Sequence, residues 1–445
     1  MALSGIQIYK LLPKTNCKDC GFPTCLAFAM KLAAKQVDLA ACPHVDEAAK
    51  AELAESAAPP IRLVTLKSNG YEVKVGNEVV LYRHEKTFYN KPGLFIRVRD
   101  DQSPEDIQKQ VAPAEAFAVN YVGISLTVDG FAVQAASGDP VRFAAAVSAV
   151  RAASKRPLIL ISQDPAVMAA GLRAADGETP LIYAATAANW QAMAELAKQH
   201  QAPLAVSAAG LEPVAELTQK ITAAGVEDLV IDPGGRDMIA NLIYSTQIRR
   251  LALKNFRPLG YPVIAFPGET SDPAQEPAMA AQAVVKYGSF VVLDRFAAEL
   301  LYPLLVLRQN IYTDPQKPIQ VQPGLYEINN PTPESPLLVT TNFSITYFSV
   351  ANEMESSGLP AWLLVTDAEG MSVLTAWAAG KFDAERIVKD IKRFEAAEKV
   401  SRKRLVLPGN VAVLSGELEE ELPDWEIRVG PREAVDLPAF MKQAL

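Results

Sequence analysis

Between about residue 94 and Arg308 the chain repeats one pattern eight times, and this restricts the fold more than any other feature. Short apolar runs occur at 94–98 (LFIRV), 122–126 (VGISL), 158–162 (LILIS), 181–185 (LIYAA), 204–208 (LAVSA), 229–233 (LVIDP), 263–267 (VIAFP) and 290–294 (FVVLD). Between them lie stretches rich in Ala, Leu and charge with helical spacing. Several open with a capping side chain and then Pro in the first turn: Ser103-Pro104, Asp139-Pro140, Asp164-Pro165 and Glu212-Pro213. Runs that stay apolar instead of alternating describe strands buried on both faces, as in a parallel sheet covered by helices. Eight strand–helix units in about 215 residues predict a (β/α)8 TIM-type barrel, with a doubly wound open sheet as the alternative.

The flanks predict two further units in an α/β multidomain chain. Residues 1–57 hold every cysteine, an Ala-rich helical stretch and an acidic helix over Asp46–Ser56, and Pro59-Pro60 marks the boundary. A hairpin is expected next, YEVKV with EVVLY across Gly76-Asn77, and the barrel spans 58–310. The Pro-rich segment 311–336 reads as a linker. Apolar runs restart at 337–341, 362–366, 404–408, 411–415 and 425–429, predicting a five-stranded Rossmann/flavodoxin-like domain over 337–445.

Composition narrows the partners. With 49% hydrophobic and 21% charged residues, the 445-residue chain can bury large cores. A formal net charge of -8 argues against a nucleic-acid partner, which needs a basic face. No apolar run reaches the ~18 residues of a membrane span, and Met1–Lys14 lacks a secretory apolar region, so a cytoplasmic location is expected.

The four cysteines are Cys17, Cys20, Cys25 and Cys42, spaced C-x2-C-x4-C-x16-C, with Gly21 and Pro43 beside them. Clustering of this kind in a cytosolic chain points to metal. All-thiolate ligation suits either an iron–sulfur cluster or zinc. Zinc sites more often pair two C-x2-C knuckles, and only one is present, so the spacing favours a [4Fe–4S] cluster. His44 reads as a neighbour and not a ligand, because four thiolates already complete the set.

The stretch from Lys10 to Ala29, closing at Cys42-Pro43, resembles the N-terminal cluster module of the corrinoid/iron–sulfur protein large (gamma) subunit. That family belongs to the carbon monoxide dehydrogenase/acetyl-CoA synthase system. The similarity extends over the whole chain in the order cluster module, barrel, Pro-rich linker, α/β domain. The resemblance implies a methyl carrier of the reductive acetyl-CoA (Wood–Ljungdahl) pathway, a methyltransferase component in which pterin chemistry belongs to a partner. A cobamide Co(I) would take methyl from methyltetrahydrofolate on a methyltransferase and pass it to acetyl-CoA synthase, while the cluster reductively reactivates Co(II). It also implies a heterodimer with a small corrinoid/iron–sulfur subunit, and a low-potential electron donor.

The resemblance places the corrinoid on loops of the C-terminal domain. One loop carries Thr340, Asn342, Phe343, Thr346 and Tyr347; a second carries Gly370, Met371, Ser372, Val373, Leu374 and Thr375. A third carries Gly430, Pro431, Arg432, Glu433 and Ala434, expected to open the last helix and meet the phosphate of the corrinoid tail. Ser415 and Gly416 form a weaker candidate. The only histidines are His44, His84 and His200, so the C-terminal domain has no imidazole for cobalt and the cobamide is expected base-off. In the barrel, loops at Asp129-Gly130, Asp232–Asp237 and Glu269-Thr270 fall where barrel enzymes place catalytic groups. No acid/base pair, nucleophile or metal set is evident there, so no catalytic residue is assigned and the barrel reads as a docking scaffold. Two other functions fit fewer features. A redox activator of another protein's corrinoid would need a nucleotide loop of the G-x-x-x-x-G-K-[ST] kind, which is absent. An independent pterin-dependent methyltransferase would use the barrel itself.

Overall fold

Eight parallel strands close the central barrel in the computed structural model, which describes residues 5–444 except 35, 48, 51–52, 54–58, 271 and 315–318. The chain forms two compact units, residues 1–117 with 127–312 and residues 118–126 with 313–445.

In the first unit the strands β1 (Val64–Ser68) and β2 (Tyr71–Val75) form an antiparallel hairpin. Its turn is Asn69-Gly70, both at positive φ, not the expected Gly76-Asn77, and 78–82 is not a strand. β3 (Gly93–Arg99) then opens the barrel. The expected second barrel strand at 122–126 is instead one arm of a separate hairpin, β4 (Val119–Tyr121) with β5 (Ile124–Leu126). The strand that pairs with β3 is β6 (Gly130–Gln134). The remaining runs form strands near the expected places: β7 (Leu158–Ile161), β8 (Leu181–Ala185), β9 (Leu204–Ser207), β10 (Leu229–Asp232), β11 (Val263–Ala265) and β12 (Gly288–Leu293), which returns to β3. Ser103, Asp139 and Asp164 cap the helices Pro104–Ala116, Pro140–Ala153 and Pro165–Ala174 through their side chains. Glu212-Pro213 does not act this way, since Gly210 is the cap and Glu212 already lies inside Leu211–Ala223.

The barrel interior is a packed core. Phe95 and Phe290 are fully buried, with ring centroids 5.7 Å apart and edges to faces. Truncating either to Ala would cost about 3–5 kcal/mol. Val64, Leu66, Val73 and Val75 of the first hairpin pack into the same core, so the hairpin closes the N-terminal end of the barrel.

The second unit is an open, doubly wound sheet. Its strands are β13 (Gly324–Ile328), β14 (Leu337–Thr341), β15 (Ala361–Thr366), β16 (Arg404–Leu407) and β17 (Glu426–Val429), in the order β13-β15-β14-β16-β17. The last four are mutually parallel; β13, drawn from the Pro-rich segment, runs antiparallel at the edge. The run 411–415, expected as a strand, lies mostly in the 3-10 turn Gly409–Leu414. Its side chains Val411 and Leu414 still enter the core, and so the run is apolar without being extended. Helix Ser344–Ser357 contributes to the core on one face, with Leu338 and Leu363. Helices Val373–Ala378 and Ala384–Arg393 contribute to the core with Leu337 and Leu364. The β14–β15 connection and the β15–β16 connection leave in opposite directions, which makes the β14/β16 gap the switch point where such sheets open a crevice. The hairpin β4–β5 belongs to this unit: Val122 is buried with Val321 and Ile328, and Gln322 N–H donates to Val122 O at 3.1 Å.

Candidate functional site

The cysteine module is built around two short helices, Gly5–Leu11 and Cys25–Ala33. Cys25 opens the second helix, behind the cap Thr24, and its N–H donates to Asn16 Oδ1 at 2.8 Å. Between the helices the backbone coils tightly: Lys14, Asn16 and Lys18 all take positive φ, as does Gly21. Cys42 follows the 3-10 turn Leu39–Ala41, which Asp38 caps. Cys25 and Cys42 are buried with Ile8, Leu12 and Phe28, Cys20 is half-buried and Cys17 is exposed. No disulfide joins the four. No three of their sulfurs lie within 4.8 Å of one another among the described residues. His44 pairs with Asp19 at 2.6 Å beside Cys17. The hydrogen bond from His44, then that from Cys17, holds the Asp19 carboxyl below its ordinary range. The acidic helix expected over Asp46–Ser56 falls partly outside the described residues.

At the carboxyl end of the C-terminal sheet lies a cavity of about 260 Å³ at the β14/β16 switch point. Three of the expected loops meet there. Thr340 and Thr346 line it from the first, Ser372, Val373 and Leu374 from the second, and Gly430, Pro431, Arg432, Glu433 and Ala434 from the third. Other expected residues stand apart from its walls. Asn342 is buried, and its Oδ1 accepts from the N–H groups of Ala368 and Gly370 at 2.9 and 3.0 Å. It thereby fixes the second loop, where Gly370 takes φ +74°. Phe343 caps helix Ser344–Ser357, and Tyr347 turns toward Tyr326 instead, with ring centroids 5.3 Å apart. Met371 packs on the core, and the Thr375 and Ser372 hydroxyls meet at 3.0 Å. Ser415 and Gly416 begin helix Ser415–Glu421 and do not reach the cavity. The loop at Gly430 does not open the last helix directly, because the 3-10 turn Ala434–Asp436 precedes Leu437–Ala444.

Sequence reasoning missed Leu338, Ser349, Val406 and Leu437 in the cavity wall, and Pro408 and Asn410 at the loop after β16. The turn signal Pro408-Gly409-Asn410 could have found that loop. A Cβ on Gly409 would stand 2.5 Å from Gly430 O, so only glycine lets the two rim loops approach this closely. Around the carboxyl ends of the parallel strands, Ile345, Leu374, Trp377, Val413, Val429 and Val435 are 40–67% exposed. Large apolar side chains gathered on one end of a sheet mark a binding surface.

The barrel mouth is different. Asp232 ends β10 and is 1% exposed; Arg236 donates to both its oxygens at 2.9 and 2.7 Å. Arg236 also reaches Glu269, Glu269 accepts from Arg97 at 2.6 Å, and Arg97 pairs with Asp294. Tyr183 donates its hydroxyl to Asp232. Burial alone would raise the Asp232 carboxyl, but the Arg236, Tyr183 and Gly234 hydrogen bonds together hold it below its ordinary value. Burial pushes the Tyr183 hydroxyl well up, and the Asp232 charge adds to this. Asp129 is not at this mouth. It precedes β6, at the opposite end, where it accepts from Leu94 N–H and pairs with buried Arg308.

No helix among the described residues is long and apolar enough to cross a membrane. The profile of a family described as CO dehydrogenase/acetyl-CoA synthase delta subunit matches residues 63–441, and one described as putative Fe-S cluster matches residues 12–44. The corrinoid/iron-sulfur protein large subunit of Moorella thermoacetica is 46% identical, covering 100% of this chain and 100% of that protein. The acetyl-CoA decarbonylase/synthase complex subunit gamma of Methanopyrus kandleri is 36% identical over 99% of this chain and 98% of its own. The Archaeoglobus fulgidus subunit gamma is 35% identical over the same shares.

Proposed function

This chain belongs to the family of corrinoid/iron–sulfur protein large subunits and acetyl-CoA decarbonylase/synthase gamma subunits, and from that premise we propose that it is the methyl carrier of the reductive acetyl-CoA pathway. It would receive methyl from methyltetrahydrofolate through a methyltransferase and deliver it to acetyl-CoA synthase, paired with a small subunit and served by a low-potential electron donor. A bound cobamide would supply the methyl-accepting cobalt, and a [4Fe–4S] cluster the electron that restores its reduced state.

The observation that carries this reading is the cavity at the β14/β16 switch point with exposed apolar side chains around the strand ends. A cavity of about 260 Å³ is below the ~300 Å³ at which drug-sized sites begin, so it suits an appendage and not a whole macrocycle. Ile345, Leu374 and Trp377 would bear on the flat underside of the ring while the nucleotide tail enters the cavity. Arg432, exposed at the rim, offers positive charge to the tail phosphate. No histidine lies beyond His200, so the C-terminal unit cannot give cobalt an imidazole, in keeping with a base-off cobamide. Cys17, Cys20, Cys25 and Cys42 would hold the cluster; none is in a disulfide, and Cys25 and Cys42 are buried in the module's core.

Oxygen-free purification followed by metal analysis and a visible spectrum tests the reading. The expected result is about four irons per chain together with corrin absorbance. In Cys42→Ala the iron is lost while the corrin bands remain. Iron without corrin would favour a redox activator, and zinc without either would overturn both cofactor assignments.

A further inference from the structure

We propose that Thr340 selects which cobamide the chain accepts, by hydrogen bonding an acceptor nitrogen on the aromatic base at the end of the nucleotide tail. The inference rests on the reading above and adds the chemical class of that base. Thr340 is the residue of the cavity wall, among those described, that has a buried polar atom with no partner: it is 1% exposed, and its Oγ1 meets no donor or acceptor. Other hydroxyls of the wall are already used: that of exposed Ser349 donates to Ile345 O at 2.9 Å, and that of Ser372 meets Thr375 Oγ1 at 3.0 Å. Around them the wall is apolar, with Leu338, Val350, Val406 and Leu437.

A buried hydroxyl left unpaired is costly, and it survives where something else completes it. The surroundings say what that is. An apolar slot of this size favours a flat aromatic group, and a hydroxyl with a free proton favours an acceptor on that group. A base released from cobalt exposes such an acceptor, the ring nitrogen that would otherwise coordinate the metal. A phenolic base lacks it. Turning about χ1 lets the hydroxyl meet the base without moving the strand. Thr341 supplies an internal control. Its Oγ1 is also buried and unpartnered, but it points to the other face of β14 and does not line the cavity.

Equilibrium dialysis of the full-length, cluster-bearing chain against three corrinoids tests the proposal. These are cobalamin, whose base has a ring nitrogen, a phenolyl cobamide, whose base has none, and cobinamide, which has no base. The wild-type chain is expected to bind cobalamin about tenfold more tightly than the phenolyl form, the ratio one such hydrogen bond supports. Thr340→Val should remove that preference, leaving phenolyl cobamide and cobinamide within about twofold, while Thr340→Ser restores it and Thr341→Val has no effect. Equal loss for all three corrinoids in Thr340→Val, an unchanged preference in that variant, or a wild type that binds cobinamide as tightly as cobalamin would each overturn the inference and leave the cobamide reading intact. Binding of none of the three would overturn that reading itself.

Discussion

The barrel and the C-terminal sheet both end their parallel strands in a ring of loops, the place where such folds put their chemistry. At the barrel mouth the charges satisfy one another. Arg97 and Arg236 are shared among Asp232, Glu269 and Asp294, and Tyr183 seals the set from beneath. At the sheet, apolar side chains face solvent around a cavity in which one hydroxyl waits for a partner. The two strand ends differ in this although both obey the same topological rule.

Opening the closed site should have the largest effect, and on stability alone. Asp232→Asn leaves Arg236 without its buried counter-charge and is expected to cost about 3 kcal/mol in denaturant unfolding, with cobamide affinity unchanged. Because the folded Asp232 carboxyl lies below its ordinary value, its contribution is complete above about pH 5 and is lost as pH falls through the carboxylate range. A barrel whose stability rose on acidification would contradict this. Closing the open site comes next. Ser349→Trp fills the cavity from helix Ser344–Ser357 and is expected to weaken cobamide binding by about 100-fold, ~2.7 kcal/mol, with unfolding little changed. The smallest effects belong to the rim, where Leu374→Ser and Val435→Ser should each weaken binding about threefold, by dialysis, and leave stability within ~0.5 kcal/mol. Rim variants that unfold the protein would show that these side chains serve the core instead of a ligand.

Much of this was legible in the sequence, for reasons that also explain the errors. Runs such as LILI and LIYAA are apolar at every position because the barrel core covers one side and helices the other, and those strands fell where expected. VGISL looked the same but lies in a hairpin whose turn, Val122-Gly123, takes positive φ at both residues. GFAVQ, the strand that takes its place in the barrel, holds as many apolar residues and is almost wholly buried. Composition does not distinguish the two, because what separates them is which neighbours each finds. The cysteine module was readable because its spacing is local in sequence, and a family described as putative Fe-S cluster matches residues 12–44. The loops around the cavity were readable because strand ends are predictable. Tyr347, Ser415 and the Thr340 hydroxyl were not, since the direction of a side chain depends on packing that only the folded sheet supplies.

The hairpin 118–126 has a consequence for how the protein comes apart. The polypeptide passes between its two units three times, near residues 117, 126 and 312. A cut near residue 312 therefore severs one tether of three. The excised piece would still grip the hairpin through Val321 and Gln322, although that hairpin is covalently part of the other fragment. Expressed by itself from residue 313 onward, the C-terminal unit would bare that seam, a site for mispairing that the intact chain covers by lending nine of its own residues.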